Sequence, residues 1–375
     1  MKGAGGPARR GTRLVRTVLV GAGATAAAGA LGYAGTRRLV HKARTRPDPE
    51  RGEDLAERPG TLRTVVSFDG TELAVNVVGP GGGPTLVMVH GFSGDLTLWH
   101  YQWKHFSKDY RCVLYDQRGH GRSGPGAGGD YSLEALGRDL QAVLDAEVQR
   151  GPAVLIGHSM GGMAVLSFAG HAPEEFGRRV RGVVLANTAA SDLVKSMVAG
   201  LGARAGRYLA AAARRFASKP DRVYRIRARA LSRPSDLGFL VARLTNFGPD
   251  APPSMVEYVA SVGARAPVEV WSDLLRSLIE MDLGDALESV RVPTLIVVGD
   301  MDRLTPPSSA MAMKRRLTDA RLVVFRGAGH CTMLERHAQF NRLVERFIRE
   351  VLEGQESAAP VRAPGGRRKP RRAAG

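Results

Sequence analysis

From Thr61 onward the chain changes into short apolar runs of strand length separated by turn signals. TLVMVH, RCVLYD, AVLIGH, VRGVVLAN, TLIVVG and RLVVF are continuously apolar, as strands covered on both faces require. Two earlier runs, LRTVVSF and ELAVNVV, flank Asp69 and Gly70, a pair that favours a β-hairpin. Helical periodicity fills several of the gaps. YSLEALGRDLQAVLDAEV sets Leu133, Leu136, Leu140, Val143 and Leu144 on one face, and SMGGMAVLSFAGHAP continues from a strand end until Pro173 stops it. Strand and helix in alternation predict an α/β fold with a mostly parallel, doubly wound sheet. Between about Ser191 and Glu280 the alternation lapses, and an Ala- and Arg-rich pattern predicts helices inserted between two strands.

The residues before Thr61 follow a different pattern. Thr17 to Thr36 is an uncharged run long enough to span a bilayer, flanked by Arg9, Arg10, Arg13 and Arg16 on one side and Arg37, Arg38 and Lys42 on the other. Ala and Gly dominate it, so insertion is energetically marginal, and three readings stand: a membrane anchor, a cleaved export signal and a disordered tail. Residues 43–60, with Pro47, Pro49, Pro59 and many charges, are expected to be a linker, and residues 355–375 a solvated basic tail.

Charge sharpens this division. The 375 residues carry a formal charge of +18, yet residues 61–189 and 281–354 are together neutral. The surplus lies in residues 1–60, 190–280 and 355–375, at +7, +6 and +5. This marks 61–189 and 281–354 as one body with three basic additions. Nucleic-acid binding is excluded, because the basic segments contain no recognised module and no aromatic interleaving. Attraction of basic arms to an anionic leaflet is the expected alternative, giving a membrane-associated or exported protein, or otherwise a cytoplasmic one. Two cysteines, Cys112 and Cys331, supply no disulfide framework, and neither stands in a metal-ligand spacing. Cys331 follows His330 directly, but adjacent side chains point apart, which argues against a Cys/His nucleophile pair.

The sharpest chemical signal is AVLIGHSMGGMAV, where Gly157, Ser159 and Gly161 form GxSxG at a strand-to-helix junction around His158. An abrupt turn there strains the residue between strand and helix, and flanking glycines remove side chains that would collide. Ser159 is then exposed as a nucleophile, and the Met160 N–H, at the helix start, faces a developing oxyanion. A second donor is expected where TLVMVH runs into GFSG: Gly91 lets the chain bend so that the Phe92 N–H faces the same point.

These motifs, with DQRGHGRS at 116–123, GDMDRLTP at 299–306 and GHCTMLE at 329–335, resemble the α/β-hydrolase superfamily in kind and order. GHSMGG and DQRGHGRS look most like its esterase, haloperoxidase and lactonase branch. The resemblance covers about 61–189 and 281–354 and implies that 190–280 is a cap domain over the active site. It also implies Asp302 as the acid, through the spacing Gly299, Asp302, Pro306, and His330 as the base. Asp300 falls one residue early and is expected to be a turn or cap residue. His90 and His158 shape the motif loops, and His100, His105, His171 and His337 fall in expected helices. His120, in a glycine-rich loop, is the one competitor for the base. The implied activity is carboxylic ester hydrolysis through a Ser159–His330–Asp302 triad and an acyl-enzyme, without metal or organic cofactor, on a small-molecule acyl substrate. Alternatives with the same triad are a cofactor-free haloperoxidase or perhydrolase, a lactonase and a C–C bond hydrolase. A ligand-binding homologue without turnover is the reading from another class.

Overall fold

The computed structural model describes residues 37–148, 151–191, 235–265, 270, 273–274, 277–278 and 280–356. An eight-stranded sheet forms its centre: β1 (Thr61–Val66), β2 (Glu72–Val78), β3 (Thr85–Val89), β4 (Arg111–Tyr115), β5 (Ala153–His158), β6 (Val180–Ala186), β7 (Thr294–Gly299) and β8 (Ala320–Phe325). Their spatial order is β1-β2-β4-β3-β5-β6-β7-β8. β1 and β2 make the expected antiparallel hairpin, turned at Gly70, whose φ of 87° suits glycine. β2 also runs antiparallel to β4, and the remaining pairings are parallel.

β3, β5 and β7 are buried at every position, as their unbroken apolar character requires. β8 departs from that expectation. It lies at the sheet edge, where the covering layers thin out, and Val324 is 45% exposed.

Among the described residues there are seven longer helices: α1 (His100–Phe106), α2 (Leu133–Glu147), α3 (Met160–His171), α4 (Asp236–Asn246), α5 (Pro253–Arg265), α6 (Pro307–Arg316) and α7 (His337–Glu356). α2 starts where Ser132 Oγ accepts the Ala135 N–H at 3.2 Å, and its predicted stripe of Leu136, Leu140, Val143 and Leu144 is wholly buried. Alternate residues of the strands feed two apolar layers. Val87, Leu155 and Leu185 join α2 and α3 on one face, while Met88, Ile156 and Leu295 join α1 and α7 on the other. α4 and α5 fall between β6 and β7 in sequence, inside the interval expected to hold an insertion.

Residues 37–60 form a strap rather than the free linker expected of 43–60. Residues 37–44 are helical, with Val40 buried. Arg44 pairs with Asp236 of α4 at 3.1 Å and Glu257 of α5 at 3.2 Å, and its guanidinium sits over the Phe239 ring. Asp48 accepts the Ser254 N–H at 2.9 Å and hydroxyl at 2.8 Å. Glu50 accepts the Tyr101 hydroxyl at 2.8 Å, Glu53 meets Lys104 at 3.1 Å, and Arg58 meets Asp116 at 2.9 Å. The charges of the expected linker are the contacts that seat it.

The run at 17–36 and the tail beyond Glu356 lie outside the described residues. Among the described residues no helix is long and apolar enough to cross a membrane.

A buried ion pair fixes the loop after β4. Arg118 donates through Nε and Nη2 to both oxygens of Asp139 on α2, each at 2.7 Å, and through Nη1 to Asp69 in the hairpin at 2.9 Å. Such a bidentate pair specifies geometry, and deleting one partner strands the other charge in a low dielectric. Asp139→Ala is expected to destabilise the protein by about 3–5 kcal/mol, read as a lower midpoint in urea unfolding.

Candidate active site

The parallel strands end on one side of the sheet, where open α/β folds bind ligands. Ser159 follows β5 with φ 53° and ψ −121°, a conformation costly for a non-glycine residue. The surrounding contacts explain why the turn is built from glycine. A Cβ on Gly161 would lie 2.1 Å from the Val89 carbonyl oxygen, and one on Gly157 would lie 2.7 Å from the Gly161 carbonyl oxygen. From the β3 side, a Cβ on Gly91 would lie 2.8 Å from His158 Nδ1 and 3.0 Å from Ser159 Cβ. The two loops carrying Phe92 and Ser159 are therefore pressed together.

Asp302 follows β7 and is buried. Its Oδ2 lies 2.9 Å from His330 Nδ1 and accepts the Thr305 hydroxyl at 2.8 Å and the Asn187 amide at 2.9 Å. Its Oδ1 accepts the Leu304 and Thr305 N–H groups, both at 2.9 Å. Burial alone would raise this carboxyl, but the His330 ring and these hydrogen bonds outweigh it and hold it below the usual carboxylate range. Because the carboxylate only accepts, Nδ1 of His330 carries the hydrogen and Nε2 is the basic nitrogen. Asp300 instead accepts the Gly327 N–H of the loop after β8 at 2.8 Å.

Ser159 and His330 line one cavity of about 400 Å³, together with Phe92, Leu98, Met163 and Val259. Among the described residues the Ser159 hydroxyl has no hydrogen-bond partner. Met160 is buried at the first position of α3.

Three further histidines frame the site, all neutral at neutral pH. His90 Nε2 accepts the Gln117 N–H at 2.9 Å while its Nδ1 donates to the Gly91 carbonyl at 2.8 Å. His120 Nε2 accepts the Ser93 N–H at 3.2 Å and its Nδ1 donates to the Arg118 carbonyl at 3.0 Å. His120 is thus committed to the loop. His158 Nε2 donates to the His330 carbonyl at 3.0 Å. Burial depresses His90 and His120 to about 4 and His158 to about 3. Cys331 lines the cavity, but burial pushes its thiol well up, which leaves it without the thiolate a nucleophile needs.

Sequence reasoning missed three neighbours. Asn187 ends β6 with φ 48°, donates to Asp302 and to the Gly329 carbonyl at 3.1 Å, and accepts the Thr332 hydroxyl at 2.5 Å. Its signal was a lone amide closing the apolar run VRGVVLAN at a strand's carboxyl end. Thr305 carried no signal beyond its closeness to Asp302. Glu335 stands five positions after His330, directly after Met333 and Leu334 and before Arg336, a placement that gave no clear signal.

A family model described as "alpha/beta hydrolase fold" matches residues 84–337. The chain belongs to the α/β-hydrolase family. The chain is 27% identical over 266 residues to 3-oxoadipate enol-lactonase 2 of Acinetobacter baylyi, covering 71% of this chain and 89% of the relative. It is 28% identical over 293 residues to the 2-hydroxy-6-oxononadienedioate/2-hydroxy-6-oxononatrienedioate hydrolase of Burkholderia vietnamiensis, covering 75% and 93%. Among solved structures, a thermophilic esterase from Thermogutta terrifontis shares its fold, with TM-score 0.60, 24% identity and coverage of 78% and 99%.

Glu335 ties the His330 loop of this α/β-hydrolase to the segment after α4. Its oxygens accept the Gly329 N–H and the Gly248 N–H, each at 2.7 Å. Burial lifts its carboxyl from 4.5 to about 7 against the opposing pull of those N–H groups and of Arg336 and Arg243. The folded protein therefore holds a proton that the unfolded chain has released, and stability falls as pH rises from about 4.5 to 7. Thermal midpoints of Glu335→Gln across that range are expected to lack this component, so the wild-type advantage shrinks as pH rises.

Proposed function

We propose that the protein hydrolyses carboxylic esters through Ser159, His330 and Asp302, by way of an acyl-enzyme. The observation that carries this reading is the strained Ser159 opening onto the same cavity as an imidazole whose Nδ1 is held by a buried carboxylate. His330 Nε2 takes the Ser159 proton as the hydroxyl attacks the acyl carbon, and the Phe92 and Met160 N–H groups receive the oxyanion. The imidazolium then protonates the departing alcohol. Water, deprotonated by the same nitrogen, releases the acid. Asp302 keeps the hydrogen on Nδ1 and stabilises the imidazolium that forms twice per cycle.

The cavity supports an apolar acyl group, because its lining is mainly apolar and includes Leu98, Met163, Val241, Ala242 and Val259. α4 and α5 contribute several of these residues, in keeping with a cap formed by the segment between β6 and β7.

A fluorophosphonate probe is expected to label Ser159, and a p-nitrophenyl ester series of increasing chain length should define the acyl preference. Ser159→Ala should lower turnover by a factor on the order of 10⁶ while leaving the melting curve in place. Retention of more than a few per cent of activity would remove Ser159 as the nucleophile.

The acid gives an internal control. Asp302→Asn should reduce kcat by about 10⁴, since an amide no longer dictates the His330 tautomer. Asp300→Asn, which alters only a loop contact, should leave kcat nearly unchanged. The reverse order in steady-state assays would reassign the acid.

A further inference from the structure

Beside the apolar cavity lies a second, more polar one of about 820 Å³. The two share Gly94 and Val262, so they meet at the loop that carries Phe92. Three arginines line the second cavity, each from a distant part of the chain. Arg58 comes from the strap, Arg122 from the loop after β4 and Arg265 from the end of α5.

Their charges are unequally balanced. Arg58 is neutralised by Asp116 at 2.9 Å and Asp95 at 3.6 Å. Among the described residues, Arg122 and Arg265 form no ion pair: only the Arg122 main-chain N–H reaches Asp116, at 2.8 Å, and Arg265 Nε reaches the Ser261 carbonyl of its own helix, at 3.4 Å. Among the described residues of the wall, Asp95 is the one carboxylate. Like charges brought together from separate segments repel, and an anion placed among them turns that repulsion into charge-assisted hydrogen bonding. Guanidinium forks suit the planar oxygens of carboxylate and phosphate.

We propose that this cavity binds an anionic oxygen group, carboxylate or phosphate, carried on the alcohol side of the substrate while the acyl chain fills the apolar cavity. The assignment of acyl and alcohol sides rests on the ester-hydrolase reading above; the anion site rests on the arginines. An ester spanning Gly94 would then place its carbonyl at the Phe92 loop with an apolar arm on one side and a charged arm on the other.

The test compares the butyryl ester of 4-hydroxybenzoate with that of its methyl ester, in the wild type and in Arg122→Gln/Arg265→Gln. The double substitution is expected to raise KM for the charged ester about 10- to 100-fold, the worth of one or two charged hydrogen bonds, and to move the neutral ester less than about twofold. Equal effects on both esters, or none, overturn the anion site and leave the hydrolase reading standing. Calorimetry on Ser159→Ala with the unreactive amides 4-butyramidobenzoate and 4-butyramidophenyl phosphate separates the two readings. Arginine-dependent binding of either amide supports the anion site even if neither ester is turned over, and the tighter amide names the group. Binding of both that is indifferent to the arginines, or binding of neither, overturns it.

Discussion

A carboxylate shut away from water has to be satisfied by protein alone, and Asp302 imposes that condition on the loops at the carboxyl ends of the parallel strands. Its two oxygens are met by five donors: two main-chain N–H groups, the Thr305 hydroxyl, the Asn187 amide and the His330 ring. These come from the loops after β6, β7 and β8, so one side chain fixes three loops against one another. Asn187 extends the constraint by also holding the Gly329 carbonyl and the Thr332 hydroxyl on either side of His330. The ring is thereby oriented from both ends of its own loop.

The opposite side of the site is governed by steric closeness. Val89, Gly91, Gly157 and Gly161 bring main chain against main chain, and the three neutral histidines bridge the gaps with hydrogen bonds. Their neutrality matters electrostatically. The His158 ring centroid lies 4.8 Å from that of His330, and a cation there would oppose the formation of an imidazolium. Burial prevents it, because each ring has lost the water that would stabilise its protonated form.

Most of the fold was legible because its signals are local. An apolar run long enough to be a strand, an amphipathic stripe, and Asp-Gly between two strands each act within a few residues, and β3, β5, α2 and the β1–β2 hairpin follow from them. GxSxG was legible for the same reason, since strand, turn and helix lie within one motif. What escaped the sequence depends on contacts made across the chain. Asn187 reaches Asp302 over 115 positions, and Asp48 reaches Ser254 over 206. Nothing local distinguishes a strap whose charges are paired from a spacer whose charges are hydrated. Edge position misled in the same way: the apolar residues of β8 look like those of β7, and only the strand order reveals that the sheet ends there.

The strap also separates two lengths that are easily taken for one. The stretch recognisable as an α/β-hydrolase runs from 84 to 337, whereas the folded body includes Val40, the hairpin and nearly all of α7. Through Arg44 and Asp48 the strap grips α4 and α5, and through Glu50, Glu53 and Arg58 it grips the sheet side, so it works as a tie-beam between that helix pair and the sheet. The recognisable stretch by itself lacks that beam, and its helix pair would be free to settle where the missing residues had held it.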